Sequence, residues 1–445
     1  MQKIYKISFY GCCIVAAVLL IGTVLQHTVM IKVSALITAV LFAMGLGAFP
    51  SSKGYQYTAW IIVAVVAGML YPQAFLNWGS INLRDKTLIL VIIQLVMFGM
   101  GTHISIRDFK GLAYTGKGVL IGLLCHFSVM PLMGLLLTKV FHFEPEIAAG
   151  VILIGSCSSG LASNVMVYLA RANLVLSVIV TAMATLAAPF LTPLLMKVLA
   201  GTLIEVKFVD MMVEIIKIVI VPIGAALLHD YLKTASPKKR RNVYITAVSC
   251  AVYAIVLLVF GYPFLEHNGA AHAALQSLEL SGFLACAVSG GVVYHLIYNR
   301  FAQIDKIMPY ISMFGIIYFT MVTTAAGRDN LMKIGLLLFV ASVIHNAAGY
   351  FFGYWLSRLF GLDKNSSRTV AFEVGLQNGG MASGLAGTMG KLGTVGLAPA
   401  VFSPWMNISG SILANYWRRK PVETKGVEAY VKDPSDESEK KRIAE

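Results

Sequence analysis

Apolar runs of about 18–25 residues, the length that crosses a bilayer, recur along almost the whole chain. They fall near 7–26, 30–49, 57–76, 87–104, 115–138, 146–170, 174–199 and 208–229, then near 243–264, 279–299, 308–325, 333–357, 369–389 and 395–417. Only short polar stretches separate them, so the pattern predicts fourteen transmembrane helices and an all-α polytopic membrane protein. Two runs are interrupted from within, by GSCSSGLASN at 155–164 and by FEVGLQNGG at 372–380. Backbone facing lipid must be hydrogen-bonded, so a Gly- and Ser-rich break is tolerated only where protein or a water-filled cavity covers it. Two such breaks far apart in sequence predict discontinuous helices that meet at an ion and substrate site.

Composition sharpens this picture. With 58% hydrophobic and 13% charged residues and a mean hydropathy of +0.76, a soluble globular chain is excluded. The net charge of +14 could suggest nucleic acid, but the basic residues sit between the helices. Lys233, Lys238, Lys239, Arg240 and Arg241 crowd one loop, whereas the loop 265–278 carries no Lys or Arg. This asymmetry places both termini in the cytoplasm of a bacterial inner membrane, with Tyr416 and Trp417 as an interfacial anchor before Arg418. The first run is read as a helix and not a secretory signal, because it is long, lacks a small-residue cleavage site and is followed at once by another. The six cysteines, at 12, 13, 125, 157, 250 and 286, all lie in apolar segments and read as core residues. The tail from Glu423 reads as disordered. Gly390-Lys391 is no P-loop, since Leu385 and Leu392 stand where glycine and Ser/Thr are needed. No cofactor is expected, and ATP-driven transport would need a partner chain.

Glu373 is the sharpest single residue, an acid inside an apolar run. Such groups are costly and line pathways or pair with a counter-charge. The structural alternative is an ion pair with Lys217, the basic residue inside another predicted helix. An unwound stretch from Val374 to Asn378 would turn carbonyl oxygens inward. Ser163 and Asn164 follow the other break, and Ser177 and Thr181, at i and i+4, share a helix face. Neutral oxygens around one carboxylate suit a monovalent cation, whereas calcium calls for several carboxylates.

The stretches ASNVMVYLA at 162–170, LSV at 176–178 with Thr181 behind it, EVGLQN at 373–378 and NISGSILA at 407–414 resemble the bile acid:sodium symporter family. The similarity covers about 57–230 and 305–418. It implies ten helices in two inverted five-helix repeats, a panel and a core, with the broken helices at 146–170 and 369–389 crossing in the core. Carried over, the family's first sodium site maps to Ser163, Asn164, Ser177, Thr181 and Glu373. The second maps to Glu373, the carbonyls of Val374 and Leu376, Gln377, and His126 in the place of a family glutamine. A neutral imidazole is a poor sodium ligand, so His126 sets this second site apart. Leu161, Asn378 and Asn407 fall at the implied substrate site. Leu161 stands where bacterial relatives commonly carry a threonine, which argues for a different or more apolar ligand. Ser158-Ser159-Gly160 replaces the usual Pro-Gly-Gly.

The resemblance thus implies a sodium-coupled symporter of a small organic anion, bile acid-like or another organic acid, and not an enzyme. Sodium is the only metal implied. Around the transporter regions 57–230 and 305–418, the chain adds an N-terminal helix pair in 1–56, an inserted pair with a basic loop in 231–304, and the tail 419–445. The loop from Glu266 to His272 reads as solvated and not as a metal site. Oligomeric state is not legible. The alternatives are a proton-coupled or efflux carrier resembling arsenite exporters, using Cys157 with Glu373, or a membrane receptor that binds without transport. A hydrolase on Ser158 or Ser159 lacks a placed base.

Overall fold

The computed structural model describes residues 2–49, 52, 55–106, 112–267 and 271–422. The tail beyond Val422, residues 268–270 of the 266–272 loop and the side chains of Glu266 and His272, on which the reading of that loop falls, lie outside the described residues.

Helices α1 (Gln2–Val24) and α2 (Thr28–Gly45) form a hairpin, with the ring of His27 capping α2 by accepting from Met30 N at 3.2 Å. Helix α3 (Gln56–Leu70) stops short of the predicted 57–76. Tyr71 precedes Pro72 and is pushed out of the helical region to φ −131° and ψ 56°. A short turn and a two-residue antiparallel hairpin follow, Asn77–Trp78 with Ile81–Asn82, turning at Gly79 with φ +58°. The pattern of apolar runs contained no sign of this hairpin, because its strands are exposed and only two residues long.

Helix α4 (Lys86–Gly101) is capped by Asp85, which accepts from Thr87 N and Leu88 N. Next come α5 (Leu112–Phe141), the half-helices α6 (Pro145–Ser156) and α7 (Leu161–Leu169), and α8 (Leu174–Ala200). Helix α9 (Phe208–Thr234) contains a π-helical turn at Ile216–Ile220. The inserted pair is α10 (Pro237–Leu265) and α11 (His272–Arg300). The chain ends with α12 (Ile304–Ala326), α13 (Arg328–Leu359), the half-helices α14 (Lys364–Gly375) and α15 (Gly379–Thr388), and α16 (Leu397–Arg418). With α6–α7 and α14–α15 each taken as one broken pass, these helices correspond one to one with the predicted runs.

Two groups of helices define the architecture. Helices α3, α12, α4 and α9 pack in that order as one layer. Helices α5, α8, α13, the two broken helices and α16 pack as a second body. Small residues bring the second body's backbones together: a Cβ on Gly349 of α13 would lie 2.7 Å from the Cα of Gly375, and one on Gly155 of α6 would lie 2.6 Å from the carbonyl oxygen of Met130. Helix α2 leans on α3, and the inserted pair reaches the layer through α11 against α9. Lys217 of α9 ties that contact, pairing with Glu214 at 2.5 Å and Glu279 at 3.0 Å. It does not pair with Glu373, so the structural alternative for these two residues does not hold.

Candidate functional site

The breaks are placed by local sequence. Helix α14 runs on through Gly375, so Val374 is still helical and the unwound segment is shorter than 374–378. Only Leu376, Gln377 and Asn378 separate α14 from α15, and Asn378 caps α15 by accepting from Met381 N at 3.0 Å. On the other side, Cys157, Ser158, Ser159 and Gly160 separate α6 from α7. The two extended breaks pair antiparallel, Ser159 opposite Gln377, with Asn378 N donating to Ser158 O at 2.8 Å and Gly160 N to Leu376 O at 3.3 Å. Each break thereby satisfies the other's backbone, as a discontinuity inside a membrane requires.

Glu373 sits in the last turn of α14 and is fully buried. Its Oε1 accepts from Ser177 Oγ at 2.5 Å, and its Oε2 accepts from Ser159 Oγ at 2.7 Å and Thr181 Oγ1 at 2.8 Å. Asn164 Oδ1 lies 2.7 Å from the same Ser177 Oγ and 3.3 Å from the same Thr181 Oγ1. Ser163 Oγ is 3.3 Å from Thr181 Oγ1 and donates to Gly160 O. Ser163, Asn164, Ser177, Thr181 and Glu373 are therefore in one cluster, with Ser159 as a sixth member that sequence reasoning did not assign to it. A hydroxyl has one hydrogen, and those of Ser177 and Thr181 each face two acceptor oxygens. Five contacts to the oxygens of Glu373 and Asn164 thus share three hydrogens, and among the described residues no Lys or Arg pairs with Glu373. Oxygens of this kind are the donors that hard cations take.

His126 of α5 meets the same residue from its backbone side. Its Nδ1 lies 2.9 Å from Glu373 O and its Nε2 lies 2.7 Å from Cys157 O. Both carbonyls belong to helix ends, where the breaks remove the usual amide partners. The imidazole lies between them, donating its single N–H to one of the two, and neither ring nitrogen is turned toward the oxygen nest. Val374 O accepts from Gln377 Nε2 at 2.7 Å and Leu376 O from Gly160 N. Both carbonyls expected at a second ion, those of Val374 and Leu376, thus already accept from a donor. Cys157 contributes its carbonyl to the crossing.

A cavity of about 570 Å³ opens beside the crossing, between the layer and the second body. Leu161, Asn164, Gln377, Asn378 and Asn407 line it from the second body, and Tyr57, His103 and Ser312 from the layer. The layer residues were not singled out from sequence, because no motif marks them; only the packing of α3, α4 and α12 brings them there. The remaining walls are largely apolar, among them Met100, Met166, Met313 and Ile316. The N-termini of α7 and α15 start at its wall, and Asn378 Nδ2 is a buried donor without a partner. Asn164 belongs both to the nest and to the cavity wall. Among the described residues no group of His, Cys, Asp and Glu could hold a transition metal.

A polytopic helical protein whose two broken helices pair across a buried carboxylate, beside a cavity between two helical bodies, has the architecture of a secondary transporter. The family model for the sodium bile acid symporter family matches residues 89–268. A sodium-dependent transporter of Bacillus subtilis, YocS, uncharacterized by its own description, is 31% identical over 368 residues, covering 82% of this chain and 92% of that one. A probable chloroplastic sodium/metabolite cotransporter of Arabidopsis thaliana, BASS1, is 28% identical over 82% of this chain and 73% of its own. The human ileal sodium/bile acid cotransporter is 25% identical over 79% of this chain and 84% of its own. The chain belongs to the sodium bile acid symporter family. It is a multi-pass membrane transporter and not an enzyme.

Proposed function

We propose that this chain imports a small organic anion together with sodium across a bacterial inner membrane, by alternating access and with both termini cytoplasmic. The observation that carries the reading is the nest around Glu373, where oxygens from α7, α8 and a break gather about one buried carboxylate and five contacts share three hydrogens. A sodium ion supplies the missing positive charge, drawing α7, α8 and α14 together. That fixes Asn164 and the start of α7 at the cavity wall. The anion then meets two helix N-termini, whose free amides and dipoles favour negative charge, and the unpartnered Nδ2 of Asn378. Leu161, Met100 and Met313 take an apolar body. Asn407 donates its own Nδ2 to Ser403 O at 2.9 Å, which leaves its oxygen to a hydroxyl or amide of the ligand.

One sodium ion is coupled. In the family pattern a second ion lies behind Glu373, but here the ring of His126 fills that side, one nitrogen beside each of two helix-end carbonyls and its single N–H donated to one of them. The test is uptake into proteoliposomes of a panel of labelled carboxylates, from short organic acids to a bile acid, with and without an inward sodium gradient. Uptake of at least one member that requires sodium is the expected result. Uptake indifferent to sodium, or driven equally well by a proton gradient alone, would overturn the reading.

A further inference from the structure

Arg368 of α14 is 8% exposed. A guanidinium brings a full charge and five N–H donors, and when buried it is ordinarily set against a carboxylate. Here no acid answers it. Asp363, one turn earlier, uses its carboxylate to cap α14, accepting from Asn365 N at 2.8 Å and Ser366 N at 3.0 Å. Glu373 is held in the nest beyond. Among the described residues Arg368 makes no ion pair and no hydrogen bond, and its contact is the face of Trp417, with 5.5 Å from guanidinium to ring centroid.

Trp417 is also a wall of a groove of about 730 Å³ between α13 and α16 on the outside of the second body, with Tyr354, Trp355 and Tyr416 at the same end. Past that end the chain is basic, with Arg418, Arg419 and Lys420, and Lys420 donates to the hydroxyl of Tyr416 at 2.8 Å. An aromatic belt beside basic residues marks the level of the headgroups. The groove below it is apolar and long enough to take part of an acyl chain, and the unpaired guanidinium of Arg368, 8% exposed, stands against Trp417 at its headgroup end without lining it. Among the described residues no Asp or Glu lines that end to pair with the ammonium of a zwitterionic headgroup.

We propose that Arg368 and this groove form a site for an anionic phospholipid, with the phosphate on the guanidinium and a chain between α13 and α16. One basic group at an anionic headgroup is worth about fivefold in affinity. The site is separate from the cavity and the ion nest, so it does not depend on which anion is carried.

The test uses the full-length protein in neutral detergent, with thermal unfolding followed as phosphatidylglycerol, phosphatidylcholine or inorganic phosphate is added. Saturable stabilisation by phosphatidylglycerol alone is expected, with half-saturation rising about fivefold in Arg368→Met and less in Arg368→Lys. Equal stabilisation by phosphatidylcholine, a response to phosphate alone, or no change in Arg368→Met would overturn the proposal. A chain ending at Lys420 tests the remaining occupant. If phosphatidylglycerol acts only after that truncation, the acidic tail holds Arg368 and the lipid site is wrong. Should Arg368→Met not fold, a photoactivatable phosphatidylglycerol on the wild-type protein decides the matter. Labelling within 343–355 and 405–417 supports the site, and labelling confined elsewhere refutes it.

Discussion

Glu373 meets the protein differently through its side chain and through its backbone. The carboxylate faces Ser159, Ser177, Thr181 and Asn164, where five contacts share three hydrogens. The carbonyl faces His126, whose ring nitrogens reach the two carbonyls the breaks leave over. Both sides are buried and polar, and both join the same two broken helices. The difference lies in what faces the oxygens. On the proposed reading an added cation completes the first side, whereas the ring of His126 fills the second. On that reading oxygen content alone does not make a buried polar cluster an ion site; the space beside the oxygens must also be free of a side chain.

The largest effect should come from Glu373→Gln. Removing the charge from the nest should lower sodium-driven uptake by about 100-fold, the scale of losing charge-assisted contacts, while elution and helicity in detergent stay at wild type. Uptake near the wild-type rate would break the comparison outright.

Thr181→Val should come next. The change is close in volume but cannot coordinate, so the sodium concentration for half-maximal uptake should rise about tenfold. Thermal stability should fall less than a core truncation would bring about. An unchanged sodium dependence would mean that these hydroxyls serve packing alone.

His126→Gln tests the other side. Wild-type uptake should show a sodium Hill slope near one. The glutamine removes the ring and places an amide oxygen near Gln377, whose Oε1 is buried without a partner, so the slope should rise toward two. A wild-type slope near two, unmoved by the substitution, would refute the filled side. His126→Leu should instead lower stability by about 1–3 kcal/mol, because it orphans a buried carbonyl, and thermal unfolding would read this.

The smallest effect is expected from Lys217→Met. Because Lys217 is engaged by Glu214 and Glu279, sodium affinity should stay within about twofold of wild type. A shift comparable to that of Thr181→Val would connect α9 to the nest.

Most of the architecture was legible because the bilayer imposes a length on each apolar run and forbids unpaired backbone within it. That rule located both breaks, and the cost of a buried charge singled out Glu373. Ser177 and Thr181 were legible as a pair through helix periodicity. Where sequence reasoning went astray, a tertiary contact decided. Lys217 stood as the alternative partner for Glu373 because both looked isolated, yet α11 brings Glu279 to it from 62 residues away. Helix α14 stays wound through Val374 because its end is set by pairing with Ser158 and Gly160, and no signal within 372–380 encodes that partner.

The sequence by itself determined how many times the chain is apolar enough to span, where those spans are interrupted, and which acid stands among them. These properties depend on residues near one another in the chain and on the solvent around them. Only the tertiary structure decided that Ser159 joins the nest, that the ring of His126 lies against two carbonyls, and that Tyr57 and His103 wall the cavity. Each of these depends on how donors and acceptors remote in sequence come within about 3 Å of one another, and burial makes every unmatched group count.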